Sequence, residues 1–183
     1  GDKILKRWAL PLHSILSDVE QYLQNQADSS RNSTSLTFPI VSLIATESVR
    51  AHDKDVNTVA ISPNDMMIAT GSQDKSIRLW KTADLSPIAT LSGHKRGIWR
   101  VIFSPVDRCL ASCSGDHTVK LWSVQDYTCL RTFQGHTCSV LSIRFINRGQ
   151  QLLSGSSDGL IRLWTVLTGE CENTFDEHEG KIW

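Results

Sequence analysis

A repeat with a period of 42 residues constrains this sequence more than any other feature. Histidines, small hydroxyl residues, aspartates and tryptophans each recur at that spacing in a single frame. The repeated positions are His52, His94, His136 and His178; Thr70, Ser112 and Ser154; Asp74, Asp116 and Asp158; and Trp80, Trp122 and Trp164. Several residue classes that recur together indicate one structural unit copied along the chain. We therefore predict full copies at 52–93, 94–135 and 136–177, with a further copy beginning at His178.

Each copy is predicted to contain four short β-strands. In the first copy, strand signals at 56–61, 66–72, 76–81 and 88–91 are separated by turn residues such as Pro63 and Asp65. The other copies repeat the pattern at 98–103, 109–114, 118–123 and 129–133, and at 140–145, 151–156, 160–165 and 171–175. Short strands with turns between them are typical of an all-β protein.

Composition narrows the class of protein. The 183 residues are 40% hydrophobic and 21% charged, which is typical of a globular chain. The 19 Lys and Arg balance the 19 Asp and Glu, which argues against a surface that attracts nucleic acid nonspecifically. No apolar run approaches the ~20 residues of a membrane span, so we expect no membrane association.

The cysteines indicate neither a disulfide framework nor a metal site. Their number is odd, at five, and no CxxC pair occurs among them. We expect Cys109 and Cys113, which share a predicted strand, to pack as small hydrophobic residues. No metal and no other cofactor is expected.

The repeat resembles the WD-repeat family of β-propellers. The family's signature is a Gly-His pair and a later Trp-Asp pair in a repeat of ~40–45 residues with four strands per blade. The matching residues here are Gly93-His94 with Asp116 and Leu121-Trp122, and Gly135-His136 with Asp158 and Leu163-Trp164. The departures are Ala51 and Glu177 in place of the glycine, and Lys81, Ser123 and Thr165 in place of the final aspartate. The resemblance covers residues 50–183 and implies an all-β WD-repeat propeller with four-stranded blades.

The copies are too few to close a ring, because propellers of the family usually have about seven blades. We therefore expect a partial propeller that belongs to a longer tandem-propeller protein. Residues 1–9 are predicted to end a preceding blade, since Asp2 and Trp8 repeat the spacing of Asp74 and Trp80. Residues 10–39 are predicted to be an insertion with a short helix, which either lies on the propeller edge or binds a partner. Residues 40–50 are predicted to be the outer strand of that first blade, and 51–183 the three repeats and the start of a fourth.

The recurring polar residues are predicted to be structural rather than catalytic. A catalytic triad occurs once and faces a pocket, whereas this set recurs at a fixed period. The resemblance implies a hydrogen-bonded tetrad in each blade, because buried imidazole and indole N–H groups need partners. The tetrads are His52, Thr70, Asp74 and Trp80; His94, Ser112, Asp116 and Trp122; and His136, Ser154, Asp158 and Trp164.

Candidate partner-binding residues lie where the sequence departs from the repeat. Trp99 is the clearest, because Asn57 and Leu141 occupy its equivalent positions; packing in the core is the alternative for this residue. The other candidates are Lys54, Asp55, Lys95, Arg96, Arg100 and Lys181. A periodic set of cations, Arg78, Lys120 and Arg162, is predicted to alternate outward from the tryptophans into solvent, with a track for RNA phosphates as the alternative.

A closer resemblance narrows the function. The segments AHDKDVN at 51–57, GHKRGIW at 93–99 and LLSGSSDGL at 152–160 resemble tandem-propeller WD-repeat subunits of the nucleolar small-subunit processome. That family implies a non-catalytic scaffold in pre-rRNA processing and small ribosomal subunit assembly, located in the nucleolus of the nucleus. It implies other WD-repeat subunits, the small nucleolar ribonucleoprotein and pre-ribosomal RNA as direct or indirect partners, and no small-molecule substrate.

The alternative function is that of a ubiquitin-ligase substrate receptor or a histone-peptide reader. Receptors of acidic or phosphorylated motifs tend to present Arg-rich surfaces. The equivalent loops of this chain carry no dense arginine cluster. The sequence therefore favours the ribosomal role.

Overall fold

The computed structural model describes residues 3–9 and 44–183, and the chain divides into two compact units, residues 1–5 with 49–183 and residues 6–48. Strand β1 (Ile4–Ala9) pairs with strand β2 (Ile44–Arg50) in a two-stranded sheet. Within the unit 6–48, Arg7 Nη2 and Glu47 Oε1 form an ion pair at 2.9 Å between these strands. The assignment of both strands to a preceding blade stays a prediction, and the predicted insertion at 10–39 lies outside the described residues.

Each copy of the repeat forms one four-stranded antiparallel sheet with its strands in chain order. The first sheet contains β3 (Val56–Ile61), β4 (Met67–Ser72), β5 (Ser76–Lys81) and β6 (Pro87–Ser92). The second contains β7 (Ile98–Phe103), β8 (Cys109–Ser114), β9 (Val119–Ser123) and β10 (Cys129–Phe133). The third contains β11 (Val140–Ile146), β12 (Gln151–Ser156), β13 (Ile161–Thr165) and β14 (Cys171–Phe175), with a 3₁₀ turn at Asn147–Gly149 before β12. The all-β prediction is confirmed.

The predicted strands differ from the observed ones only at their ends. Strand β4 starts at Met67 because the side-chain carbonyl of Asn64 accepts the Met66 N–H at 3.2 Å, which holds Met66 in the turn. Strand β6 is longer than predicted at both ends, β11 extends to Ile146, and β9 and β13 each start one residue later.

The core lies between successive sheets. One cluster joins Leu79 and Leu91 of the first sheet to Leu110 and Trp122 of the second. A second cluster joins the second sheet to the third, where the rings of Phe133 and Trp164 meet edge to face at 5.7 Å. Strands in the middle of a sheet are therefore covered on both faces, which is why all six residues of β8 are buried. The sequence of β8 is accordingly a continuous run of small and apolar residues. It lacks the alternation of apolar and polar residues that is typical of a strand with one exposed face.

The first strands of successive sheets lie side by side. Asn57 Nδ2 donates to the Ile98 carbonyl at 2.7 Å, and Arg100 Nη1 donates to Ser142 Oγ at 3.1 Å. Gly71 permits this approach, since a Cβ atom there would lie 2.8 Å from side-chain carbons of Ile98 and Thr58. The absence of a side chain at residue 71 thus sets how closely the second sheet packs on the first.

Candidate functional site

Four polar side chains meet within the first sheet. His52 Nδ1 lies 2.9 Å from Asp74 Oδ2, and His52 Nε2 lies 2.8 Å from Thr70 Oγ1. The indole N–H of Trp80 donates to the same Thr70 oxygen at 2.9 Å. A carboxylate can only accept, so the imidazole donates from Nδ1, and its Nε2 accepts the Thr70 hydroxyl proton when the ring is neutral. One hydroxyl group therefore serves both rings.

The second and third sheets repeat this geometry. In the second, His94 lies 2.9 Å from Asp116 and 2.8 Å from Ser112, which accepts the Trp122 N–H at 2.8 Å. In the third, the corresponding distances among His136, Asp158, Ser154 and Trp164 are 3.1, 2.7 and 2.8 Å. The structure thus brings together the four residues of each predicted tetrad. Their stabilising role stays a prediction that mutation can test.

Each tetrad aspartate also closes the loop before the first strand and the turn after the second. Asp116 Oδ2 accepts the Lys95 N–H at 2.8 Å, and its Oδ1 accepts the Thr118 N–H at 3.1 Å and hydroxyl at 2.7 Å. In the third sheet, Leu160 stands in place of Thr118 and supplies only a backbone N–H to Asp158, at 3.0 Å. Asp158 therefore lacks the turn hydroxyl that Asp116 receives, but the Thr137 hydroxyl on the preceding loop donates to its Oδ2 at 3.4 Å.

Burial and hydrogen bonding shift the pKa values of these groups. Burial lowers the pKa of His52 and of His136 below the ordinary 6.5, although a bound aspartate partly opposes the shift in each case. Burial raises the pKa of Asp74, but hydrogen bonds from Ser76 and His52 outweigh that effect and bring it to about 2. The pKa of Asp116 is lowered in the same way by hydrogen bonds that outweigh burial. At neutral pH the first tetrad therefore pairs a neutral imidazole with an ionised carboxylate.

The tetrads offer no nucleophile to a substrate. Thr70 and Ser112 are 0% exposed and Ser154 is 1% exposed. Each hydroxyl lies inside its own sheet and is engaged by a histidine and a tryptophan. A substrate carbonyl cannot reach an oxygen that is buried in this way. This geometry lacks the exposed nucleophile of a catalytic triad and is consistent with the predicted structural clamp.

The prediction that Arg78, Lys120 and Arg162 alternate outward from the tryptophans is wrong. Residues two apart on a strand point to the same face, so each cation shares the face of its tryptophan. Arg78 and Arg162 are half-buried beside the tetrads, where their positive charges lower the pKa of His52 and His136. Lys120 Nζ donates to Thr132 Oγ1 at 2.8 Å within its sheet. These cations do not form a solvent-exposed track for phosphates.

Trp99 occupies a β-bulge that recurs at the start of each first strand. The register shifts between Ile98 and Arg100, and at the corresponding positions around Asn57 and Leu141. Bulges re-aim side chains and are frequent beside binding sites. The Trp99 ring packs partly on the core between the second and third sheets, and its buried Nε1 has no hydrogen-bond partner in the described part of the chain. Its role in partner binding stays a prediction.

Most of the other candidates lie on loops at the aspartate end of the strands. Ser72 Oγ donates to the Lys54 carbonyl at 3.2 Å, and the Asp55 carbonyl accepts the Gln73 N–H at 3.0 Å. Lys95 and Arg96 are exposed on the loop before β7, and the exposed Lys181 follows the third sheet. Arg100 lies apart from this group, because its side chain is bonded to Ser142 on β11.

A cleft that we did not predict from the sequence lies at the opposite end of the strands. It is lined by Cys109, Leu130 and Arg131 of the second sheet and by residues that precede β12 and follow β13. One sequence signal of this cleft is a break in the repeat at Cys109, because the equivalent residue of the preceding copy is Met67. Burial raises the pKa of the Cys109 thiol to about 11, so this cysteine lines the cleft as a small, neutral side chain.

Within residues 3–9 and 44–183, no three His, Cys, Asp or Glu side chains lie close enough together to hold a metal ion. The same residues include no helix with the length and apolar character that crossing a membrane requires.

The chain is similar to one repeat family and to several named proteins. The family model "WD domain, G-beta repeat" matches residues 43–81, 85–123 and 127–165. Rat transducin beta-like protein 3 is 45% identical over 92 residues, which are 50% of this chain and 10% of that protein. The human protein of the same name is 46% identical over 64 residues, 35% of this chain and 8% of its own. U3 small nucleolar RNA-associated protein 13 of Saccharomyces cerevisiae is 36% identical over 92 residues, 50% of this chain and 9% of that protein.

The family match explains how the repeats hold together. The matched segment 85–123 contains the outer strand β6 of the first sheet and the first three strands of the second. Each repeat therefore links two neighbouring sheets. The aligned segments span about a tenth of the length of each relative. With three matched repeats and three four-stranded sheets that carry the expected polar residues, the chain belongs to the WD domain, G-beta repeat family and is a partial β-propeller.

Proposed function

We propose that this chain is a non-catalytic WD-repeat scaffold in the assembly of the small ribosomal subunit, acting in pre-rRNA processing in the nucleolus. The observation that carries the proposal is similarity to both transducin beta-like protein 3 and a yeast protein whose name states an association with U3 small nucleolar RNA. Both matches extend over half of this chain.

The geometry supports a scaffold because the polar groups that recur in each repeat lie in the interior of the protein. The hydroxyl and imidazole groups of the tetrads are buried and bonded to each other. What the repeat leaves to solvent includes loop surface, such as the loop before β7, where Lys95 and Arg96 are exposed. Surfaces of this kind bind other macromolecules. The partners that we propose are other WD-repeat subunits of the processome, the small nucleolar ribonucleoprotein and pre-ribosomal RNA.

Purification of the full-length protein from nuclear extract tests this proposal. We expect mass spectrometry to find processome subunits and quantitative PCR to find U3 RNA enriched at least tenfold over an unrelated nuclear WD-repeat protein. Depletion of the protein should cause uncleaved pre-rRNA to accumulate. Recovery of ubiquitin-ligase subunits or histones without pre-ribosomal components would favour the alternative function and refute this one.

Direct contact with RNA needs a separate measurement. Ultraviolet crosslinking in cells, followed by sequencing of the attached RNA, should recover pre-rRNA or U3 RNA if the chain touches either one. Co-purification without crosslinks indicates that the contact runs through protein partners.

A further inference from the structure

A cleft of about 760 Å³ opens between the second and third sheets, at the end of the strands opposite the aspartate turns. Its wall includes Cys109 and Leu130 of the second sheet and Val166 and Leu167, which follow β13. Leu130 is 53% exposed and Leu167 is 81% exposed. Pockets that hold small-molecule ligands have volumes of about 300–1,000 Å³. This cleft therefore has the size of a binding site and presents apolar side chains to solvent.

The repeat itself shows that this cleft is not a necessary feature of the fold. Between the first and second sheets, Met67 occupies the position equivalent to Cys109 and packs on a core cluster that includes Val124. The cavity at that end, which these two residues help to line, is only about 160 Å³. At the mouth, Leu167 stands 42 residues after the polar Gln125. The larger cleft therefore differs from the smaller cavity in two ways: Cys109 is a shorter side chain in its wall, and Leu167 is an added apolar side chain at its mouth.

Two arginines give the cleft a positive rim. Arg108 is exposed, and within residues 3–9 and 44–183 its side chain has no hydrogen bond or ion pair. Arg131 Nη1 donates to the Thr168 carbonyl at 2.7 Å, a neutral partner that leaves its charge uncompensated. Asp107 is the one carboxylate among the lining residues of the described chain. Guanidinium groups beside apolar surface suit a ligand that carries carboxylates next to apolar side chains.

We propose that this cleft binds a short acidic segment of a partner protein in which leucines alternate with aspartate or glutamate. A leucine of the segment covers Leu130 and Leu167, and the neighbouring carboxylates pair with Arg108 and Arg131. A few well-packed anchor residues supply most of the binding energy in protein contacts, while rim charges set selectivity and the rate of association. This surface goes beyond the proposed function, which assigns no partner to any face of the chain.

Fluorescence anisotropy with the purified full chain tests the proposal. The probe is fluorescein-labelled Ser-Asp-Leu-Asp-Leu-Asp-Ser. One comparison peptide has asparagine in place of each aspartate, and another has alanine in place of each leucine. We expect saturable binding of the probe and at least tenfold weaker binding of both comparison peptides. No saturable binding, or equal binding of all three peptides, would overturn the proposal.

Substitutions locate the binding in the cleft. Arg108→Glu reverses a rim charge and Cys109→Met restores the residue of the first repeat; each should weaken binding of the probe at least tenfold. Leu167→Ser changes an exposed side chain and should weaken binding even if Cys109→Met impairs folding. The matched control is Lys75→Glu, which makes the same charge change on an exposed residue at the opposite end of the strands and should stay within twofold of the native chain.

Thermal unfolding of each variant shows whether it is folded. Native affinity in folded Arg108→Glu and Leu167→Ser would refute the proposal, as would an equal loss of affinity in Lys75→Glu. Because the test uses a purified chain and a synthetic peptide, its failure leaves the proposed role in ribosome assembly untouched.

Discussion

At the scale of single residues, the tetrad histidine is expected to stabilise its blade. Replacing His94 by alanine leaves Asp116 and Ser112 without their imidazole partner, and the side chain of Ser112 is fully buried. We expect the free energy of unfolding to fall by about 1–3 kcal/mol, because a buried polar group that loses its partner is still deprived of water. Urea-induced unfolding followed by tryptophan fluorescence measures this change.

Lys95 provides a control in the same loop. Its side chain is exposed, and only its backbone N–H bonds to Asp116. Lys95→Ala should change stability by less than about 0.5 kcal/mol, as is usual for surface substitutions. The structural assignment of the tetrad would be contradicted if His94→Ala were as mild as Lys95→Ala.

The period predicted which residues meet in each tetrad, since one spacing places four side chains at equivalent points of each sheet. It did not predict the environment of the individual side chains. Arg78 and Arg162 were expected in solvent, but a strand puts them on the face of the tryptophans. Trp99 could not be placed from the sequence because a bulge, which depends on pairing with β8, decides where its ring points.

At the scale of the elements, the turn between the second and third strands has one residue with positive φ. This residue is Lys75 in the first sheet, His117 in the second and Gly159 in the third, with φ of 74°, 71° and 83°. A Cβ atom on Gly159 would also lie 2.8 Å from the His178 carbonyl oxygen. Gly159→Ala should therefore lower the free energy of unfolding by about 1–2 kcal/mol, the usual penalty for an L-residue in this region.

Lys75→Ala is the control for this turn, and urea-induced unfolding again supplies the measurement. The native lysine already bears a Cβ atom at the same φ, so we expect a change of less than about 0.5 kcal/mol. Equal losses in the two variants would show that the glycine conformation is not the cause.

The strands were largely predictable, whereas the cleft between sheets was not. Strand bounds follow from apolar runs and turn residues within one copy, and they shifted only at ends such as Met66, where a side chain captured a backbone N–H. The cleft depends on how side chains from two sheets fill the space between them. The exchange of Met67 for Cys109 is visible in the sequence, but its effect on volume requires the positions of both sheets.

At the scale of the whole molecule, the tetrads are expected to stabilise the chain as similar and separate clamps. Each lies within its own sheet, and neighbouring sheets are joined by apolar clusters and by repeats that share strands between them. In repeat proteins, stability is close to the sum of the units and the interfaces between neighbours. Conditions that weaken every clamp should therefore lower the stability of the chain in proportion to the number of clamps affected.

Acidification is such a condition. Burial lowers the pKa of His52 and His136 below 6.5, and nearby Arg78 and Arg162 act in the same direction, while Asp74 and Asp158 oppose it. The unfolded chain thus binds protons at these sites more readily than the folded chain, so stability is fully present above pH 6.5 and is lost as the pH falls toward the lowered values. A second loss should follow between pH 3.8 and about 2, where Asp74 becomes protonated in the unfolded and then the folded chain.

We expect the urea midpoint of the full chain to be nearly constant from pH 8 to about 7 and to fall as the pH decreases below 6.5. Imidazole resonances in NMR spectra identify the groups responsible, since those of His52 and His136 in the folded protein should titrate at a lower pH than an ordinary imidazole. The double variant His52→Asn and His136→Asn should have a flatter profile than the native chain as the pH falls below 6.5. An unchanged profile in a folded double variant would mean that other groups govern the acid response, and the clamps would then contribute to packing without acting as proton-linked sites.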